Sequence, residues 1–165
     1  MPDAPKLEAR FNRASISRKD FAEAEVYLRA YSDELSETLR RALLVAAIVA
    51  YARPFTSNDS GIEGLATVRL TGNPKRILSS EEFRLHKQIL GLRNEAVAHS
   101  DYNRKPTWLI ERLGTGFRTK SKPFDVLAET IPIDTFLAMC MKMWNHCTGT
   151  LYRLSRELPP GVGES

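Results

Sequence analysis

The chain of 165 residues is 42% hydrophobic and 27% charged, the make-up of one globular domain long enough to bury a core. Its two cysteines exclude a disulfide framework, and its net charge of +4 is modest enough that the distribution of charge matters more than the sum. The longest apolar run, Ala42 to Ala52, is too short to span a bilayer, and Met1 to Lys6 lacks the apolar core of a signal peptide, so a cytoplasmic location with no membrane partner is expected.

A first helix is predicted over 18–53. Ser17 is placed to cap it, Asp20 stands at its third position, and Ile16 faces Phe21 as a hydrophobic staple. Leu28, Tyr31, Leu35, Leu39, Ala42 or Leu43, and Ala46 form its stripe, with Glu25–Arg29 and Glu37–Arg41 as i,i+4 pairs. From Ala42 to Ala52 the pattern is apolar all round, which predicts burial on every side, and Pro54 stops the helix. The connection from Phe55 to Leu78 is long for a compact domain. Leu65 to Leu70 reads as a short strand or helical turn, and Gly72-Asn73-Pro74 as a turn.

A second helix is predicted over 79–102. Ser79 and Glu82 have capping-box spacing, with Leu78 and Phe83 as the staple. Leu85, Ile89, Leu92 and Ala96 repeat at helical spacing, and the run ends before Pro106. His86 is expected on the solvated surface. Trp108 to Leu113, Gly114-Thr115-Gly116 and Phe117 to Thr119 read as a β-hairpin. A last helix is predicted over 133–158. Leu137, Cys140, Trp144, Cys147, Leu151, Leu154 and Leu158 form a heptad-type seam that must pack on another helix, within the bundle or across a dimer. Cys140 and Cys147 are expected in the core, and His146 has no ligand partner at useful spacing, so neither a metal nor another cofactor is expected. The fold class is therefore all-α: one domain over 1–165, an up-and-down helical bundle with room for a small β-hairpin insertion.

Chemistry concentrates in Arg93-Asn94-Glu95-Ala96-Val97-Ala98-His99. Six helical residues span roughly 9 Å along the axis and about 240° around it, so Arg93 and His99 do not lie over one another. A two-fold dimer brings such a pair together more easily than one helix does. Glu95, at i,i+4 from His99, and the helix C-terminus both favour imidazolium, which suits a general acid. Arg93 is a fixed cation suited to phosphate oxygens.

An arginine, a polar residue, a short spacer and a histidine late in a helical protein resemble the signature of the HEPN superfamily. The string from Leu92 to Asp101 looks most like members linked to abortive infection. The resemblance implies a helical bundle that dimerises with its motifs facing each other. It further implies a metal-independent endoribonuclease in which the ribose 2′-hydroxyl attacks the adjacent phosphate, with catalytic roles for Arg93, Asn94 and His99. Other members are noncatalytic nucleotide- or protein-binding modules. Some members carry a modifiable tyrosine two residues after the histidine; here Asp101 holds that place and Tyr102 comes one residue later.

The segment from Tyr102 to Lys122 carries Arg104, Lys105, Arg112, Arg118, Lys120 and Lys122 against one acid, Glu111, with Tyr102, Trp108 and Phe117 interleaved. Such a stretch beside a phosphate-cleaving histidine suits RNA, with Arg104 and Lys105 as the nearest phosphate contacts. The expectations are thus an RNA substrate, a homodimer, and a toxin or phage-defence role that leaves room for an antitoxin protein partner.

Overall fold

A computed structural model describes residues 4–56, 70, 72–97, 107–114, 116–121 and 125–158. Five helices are present among them: α1 (Ala4–Ala30), α2 (Glu37–Ala52), α3 (Pro74–Ile77), α4 (Ser80–Val97) and α5 (Ile133–Ser155). A hairpin of β1 (Thr107–Leu113) and β2 (Gly116–Ser121) lies between α4 and α5 in the chain, and short 3-10 turns cover Arg53–Phe55 and Val126–Ala128. The fold is all-α, as the periodicity predicts. The segment from Leu65 to Arg69, given above as part of a strand or turn, lies outside the described residues.

The predicted helix over 18–53 is two helices. Leu35 N–H donates to Ser32 O, Glu34 N–H to Ser32 Oγ, and Leu39 N–H to Ser36 Oγ, so Ser32 turns the chain and Ser36 restarts it. The predicted stripe Leu28–Tyr31–Leu35 runs up to the break but fails at Leu39, which is exposed, and α2 turns Leu44, Ala47, Ile48 and Tyr51 to the core instead. The first helix also begins well before residue 18. Ser17 and Asp20 are consequently interior residues rather than capping ones. Ser17 is fully buried with its hydroxyl unpartnered, and Asp20 meets Arg53 at 3.3 Å. The predicted Glu25–Arg29 and Glu37–Arg41 pairs form, each at 2.7 Å.

The principal contact is α1 against α5. Leu7, Ala14, Phe21 and Leu28 recur every seven residues along α1, with Ser17 and Ala24 between them, and all are buried. On α5, Phe136, Cys140, Met143, Cys147, Thr150 and Leu154 form the facing seam. Arg18 lies over the Trp144 ring at 6.0 Å, while Glu25 acts on Cys140, so the two helices run in opposite directions. The buried seam of α5 finds its partner within the bundle, but it is shifted from the predicted one: Phe136, Met143 and Thr150 are buried where Leu137, Trp144 and Leu151 are half-buried. Small buried residues on α1 (Ala14, Ser17, Ala24) alternate with the larger Leu7, Phe21 and Leu28, while α5 buries Phe136, Met139 and Met143. Cys140 and Cys147 are core thiols, as expected, and burial pushes the pKa of both up to about 12, so neither is a nucleophile at neutral pH.

Helix α2 packs against α1 and α4 through Leu44, Ala47, Ile48 and Tyr51. It is not buried on every side: Leu39 and Ala42 are exposed, and Leu43, Ala46 and Val49 are half-buried. Pro54 ends it through a 3-10 turn rather than an abrupt stop. Arg13 of α1 reaches that turn and donates to the carbonyls of Arg53, Pro54 and Thr56, satisfying acceptors that the helix end leaves open. Arg53 in turn bonds Glu23 at 2.6 Å, and Tyr27 donates to the same carboxylate at 2.8 Å.

Helix α4 is announced by its cap. Ser79 N–H donates to Glu82 Oε2 at 2.7 Å and Glu82 N–H to Ser79 Oγ at 3.2 Å, the reciprocal box that the sequence predicts. Glu82 also ties α4 to α5, because Lys142 donates to both its oxygens at 2.6 and 2.8 Å. Burial alone would raise the Glu82 pKa, but the bonds from Lys142 and Ser79 prevail and hold it below the ordinary carboxylate value. Before α4, Asn73 caps the single turn of α3, with Pro74 at its first position. Gly72 has φ +126°, and a β-carbon there would lie 2.8 Å from Cε1 of His146, so only glycine fits beside that ring. In the hairpin, Leu113 pairs with Gly116 and Gly114 has φ +53°, the left-handed position a tight loop needs.

Candidate functional site

Arg93 and Asn94 stand in the last described turns of α4. Its inner face is Leu85, His86, Ile89 and Leu92, all buried. Arg93 follows His86 by two turns and belongs to that inner side by phase, yet it is half-exposed. Its guanidinium turns to the outer side, where Nη1 donates to Oδ1 of exposed Asn94 at 3.2 Å. The amide thus accepts from the arginine and keeps its own NH2 donors for another group, and the guanidinium keeps most of its five. A cation and an amide held together in this way form a donor pair for a phosphate or a carboxylate.

His99, the third residue of the predicted constellation, lies outside the described residues, as do Arg104 and Lys105. The structure therefore brings Arg93 and Asn94 together and leaves their spacing to His99 undescribed. Of the basic stretch, Arg112 and Arg118 are exposed on the hairpin. Arg118 is the register partner of Glu111 across the two strands, which places the one acid of that stretch opposite one of its cations. Ile110 is left without a register partner at the irregularity between Leu109 and Glu111, and it is exposed. Among the described residues, no three His, Cys, Asp or Glu side chains group as a metal site would require, and no helix is long and apolar enough to cross a membrane.

The expectation of a solvated His86 is overturned. The residue is only 4% exposed; its Nδ1 lies 3.0 Å from the Tyr51 hydroxyl. Its ring stacks on Phe83 at 5.7 Å and meets Phe55 edge-on at 4.7 Å. The inner stripe of α4 has room for a histidine because Tyr51 of α2 supplies the partner its nitrogen needs. The sequence signal was present in the phase, since His86 falls between Ile89 and Phe83 around the helix. Burial lowers its pKa to about 4, so the ring is neutral in the folded protein at pH 7. It offers α4 a rigid inner face rather than a proton donor.

That burial has a pH consequence. The unfolded chain takes up the His86 proton near 6.5 and the folded chain only near 4, so the unfolded state binds more protons between these values. Stability is then full above about pH 6.5 and falls as pH drops towards 4, by about 3 kcal/mol in all. Urea titrations of wild type and His86→Phe at pH 7.5, 5.5 and 4.5 check this. The variant should lose less stability over that window, whatever its starting value. Parallel losses in the two proteins would show that His86 does not carry the acid sensitivity.

No protein-family model matches the chain, and no curated protein and no solved structure matches it either.

Proposed function

We propose that this protein is a metal-independent endoribonuclease of the toxin or phage-defence type, working as a homodimer in which Arg93 of one subunit and His99 act on one RNA phosphate. The observation that supports the reading is the Arg93–Asn94 pair: a guanidinium at the edge of the core, steered outward by the neighbouring amide, with donors to spare. This is what an arginine committed to phosphate requires, and it coincides with the motif that resembles the HEPN signature.

In the proposed reaction the ribose 2′-hydroxyl attacks its own 3′-phosphorus in line. The P–O5′ bond breaks, giving a 2′,3′-cyclic phosphate and a 5′-hydroxyl. His99 moves the protons, as base towards the 2′-hydroxyl or acid towards the leaving 5′-oxygen. Arg93 balances charge on the non-bridging oxygens, and Asn94 orients the phosphate or the arginine. Arg104 and Lys105 hold flanking phosphates. The nucleophile belongs to the substrate, so no metal-bound water has to be generated.

Purified protein incubated with a broad panel of single-stranded transcripts should cut them in excess EDTA and leave ends that cannot serve as 3′-hydroxyl acceptors in ligation until the cyclic phosphate is opened and the resulting phosphate removed. Binding of RNA without any cleavage would sink the catalytic reading and leave the noncatalytic nucleotide- or protein-binding module in its place. An antitoxin partner, if the toxin role holds, should copurify and suppress the cleavage.

A further inference from the structure

The outer face of α4 carries Arg84 and Lys87, and among the described side chains Glu81 is the exposed acid of that helix. On the other helices several cations are matched: Arg29 to Glu25, Arg41 to Glu37 and Asp125, Arg53 to Glu23, Lys142 to Glu82. On α4, Arg84 and Lys87 are exposed and enter no ion pair among the described residues. The acid that would balance them, Glu82, points inward to Lys142, which leaves Glu81 as the exposed carboxylate of the helix start. Lys87 is braced over the Phe83 ring at 5.5 Å, so its ammonium is held near the helix rather than ranging freely.

Spacing makes a line of these residues. Arg84, Lys87, Gly91 and Asn94 follow one another at three, four and three residues, a single stripe about 15 Å long opposite the core face. It ends on the amide that holds Arg93. Gly91 interrupts it in the middle of a helix, where glycine costs roughly 1 kcal/mol relative to alanine. Core packing does not explain the glycine: a β-carbon at Gly91 would meet nothing within 4 Å. The missing side chain leaves a notch between Lys87 and Asn94 where something outside the protein can approach the helix backbone.

We infer that the stripe Arg84–Lys87–Gly91–Asn94 is a docking track for the sugar–phosphate backbone of single-stranded RNA, with Gly91 as the point of closest approach, delivering the strand to Arg93. The inference rests on the reading above for the identity of the polyanion. An anionic membrane is the less suited partner, because among the described residues no large hydrophobic side chain of α4 is exposed to insert between lipids.

The test uses a fluorescent 2′-O-methyl oligoribonucleotide, in which the attacking hydroxyl is blocked, so binding is read without cleavage. Anisotropy titrations from 0.1 to 1 M salt compare wild type with Arg84→Ala/Lys87→Ala, with Gly91→Leu, and with Arg153→Ala/Arg156→Ala on α5 as a control of equal charge change. Losing two phosphate contacts should reduce the salt slope by about 1.4 and weaken binding roughly 25-fold at 0.1 M, with the curves converging near 1 M. Gly91→Leu should bind more weakly while melting no lower than wild type, since leucine favours the helix and meets no neighbour. Equal losses in the α4 and α5 pairs, or full affinity in both α4 variants, would overturn the track. So would loss of phosphatidylserine-vesicle binding in the α4 pair with RNA binding unchanged. Failure of the catalytic reading looks different: a tight, α4-dependent complex with an unblocked RNA that is never cut keeps the track and removes the nuclease.

Discussion

His99→Ala is expected to slow RNA cleavage by about 10²–10⁴, the cost of removing a general acid or base, with RNA affinity nearly unchanged. Arg93→Ala should lose a comparable factor and also weaken binding, because a phosphate cation serves both ground state and transition state. Far-UV circular dichroism should superimpose for all three proteins. The dimer adds a sharper check. If Arg93 of one subunit serves His99 of the other, a mixture of the two inactive variants rebuilds one intact site in each heterodimer and should recover roughly a quarter of wild-type activity. A mixture that stays as inactive as its components would put both groups on one subunit. His99→Ala cutting as fast as wild type would remove the histidine from the chemistry.

Tyr51→Ala should be the most damaging single change to the fold. The ring is fully buried and stands at the centre of an aromatic group, with centroids 5.5 Å from Phe21, 5.5 Å from Phe55 and 5.2 Å from Phe136. Truncation opens a cavity worth about 3–5 kcal/mol, and stranding His86 without its hydroxyl partner adds about 1–3 kcal/mol. The sum is a large share of the roughly 5–15 kcal/mol a domain has in total. Tyr51→Phe keeps the ring and loses the hydroxyl, so it should show the second cost without the first. Urea denaturation of the three proteins separates the two. A loss below about 1 kcal/mol for Tyr51→Ala would show that the aromatic group is not where the core is held. The buried hydroxyl also explains why burial, with Cys140 and Glu82 adding to it, holds the Tyr51 pKa well above the ordinary tyrosine value.

Helix α4 was legible to the residue at its start because a capping box is a local device: Ser79 and Glu82 satisfy each other three positions apart, and nothing distant alters that. The hairpin was legible for the same reason, through Gly114. The break between α1 and α2 was hidden by tertiary geometry. Leu35 and Leu39 stand at helical spacing from Tyr31, so in sequence the apolar stripe continues across Ser32 and Ser36 and mimics an unbroken helix, although Leu39 is exposed in the fold. The early part of α1 escaped because its inner positions are small: Ala14, Ser17 and Ala24 do not read as apolar anchors, although all three are buried in the fold. His86 was misplaced because its partner, Tyr51, is 35 positions away. Of the candidate site, Arg93 and Asn94 were legible as a motif. What the motif did not contain was the direction of the guanidinium, which Asn94 sets.

The opposed packing of α1 and α5 has a consequence for how the chain acquires its shape. The heptad face of the first helix is completed only by the last, so its apolar residues have no proper cover while the intervening chain is being made. Contacts between elements so distant in sequence form late and slow the search. A growing chain can cap α4 and pair α2 with it, yet it keeps Phe21, Leu28 and Tyr51 without their neighbours from Phe136 onward until α5 has been made. During that interval the nascent protein exposes the kind of surface that chaperones hold and aggregates recruit. A product cut short before Phe136 should accordingly be degraded or sequestered rather than persist as a smaller folded unit, and any activity housed on α4 would appear only once α5 has joined the bundle.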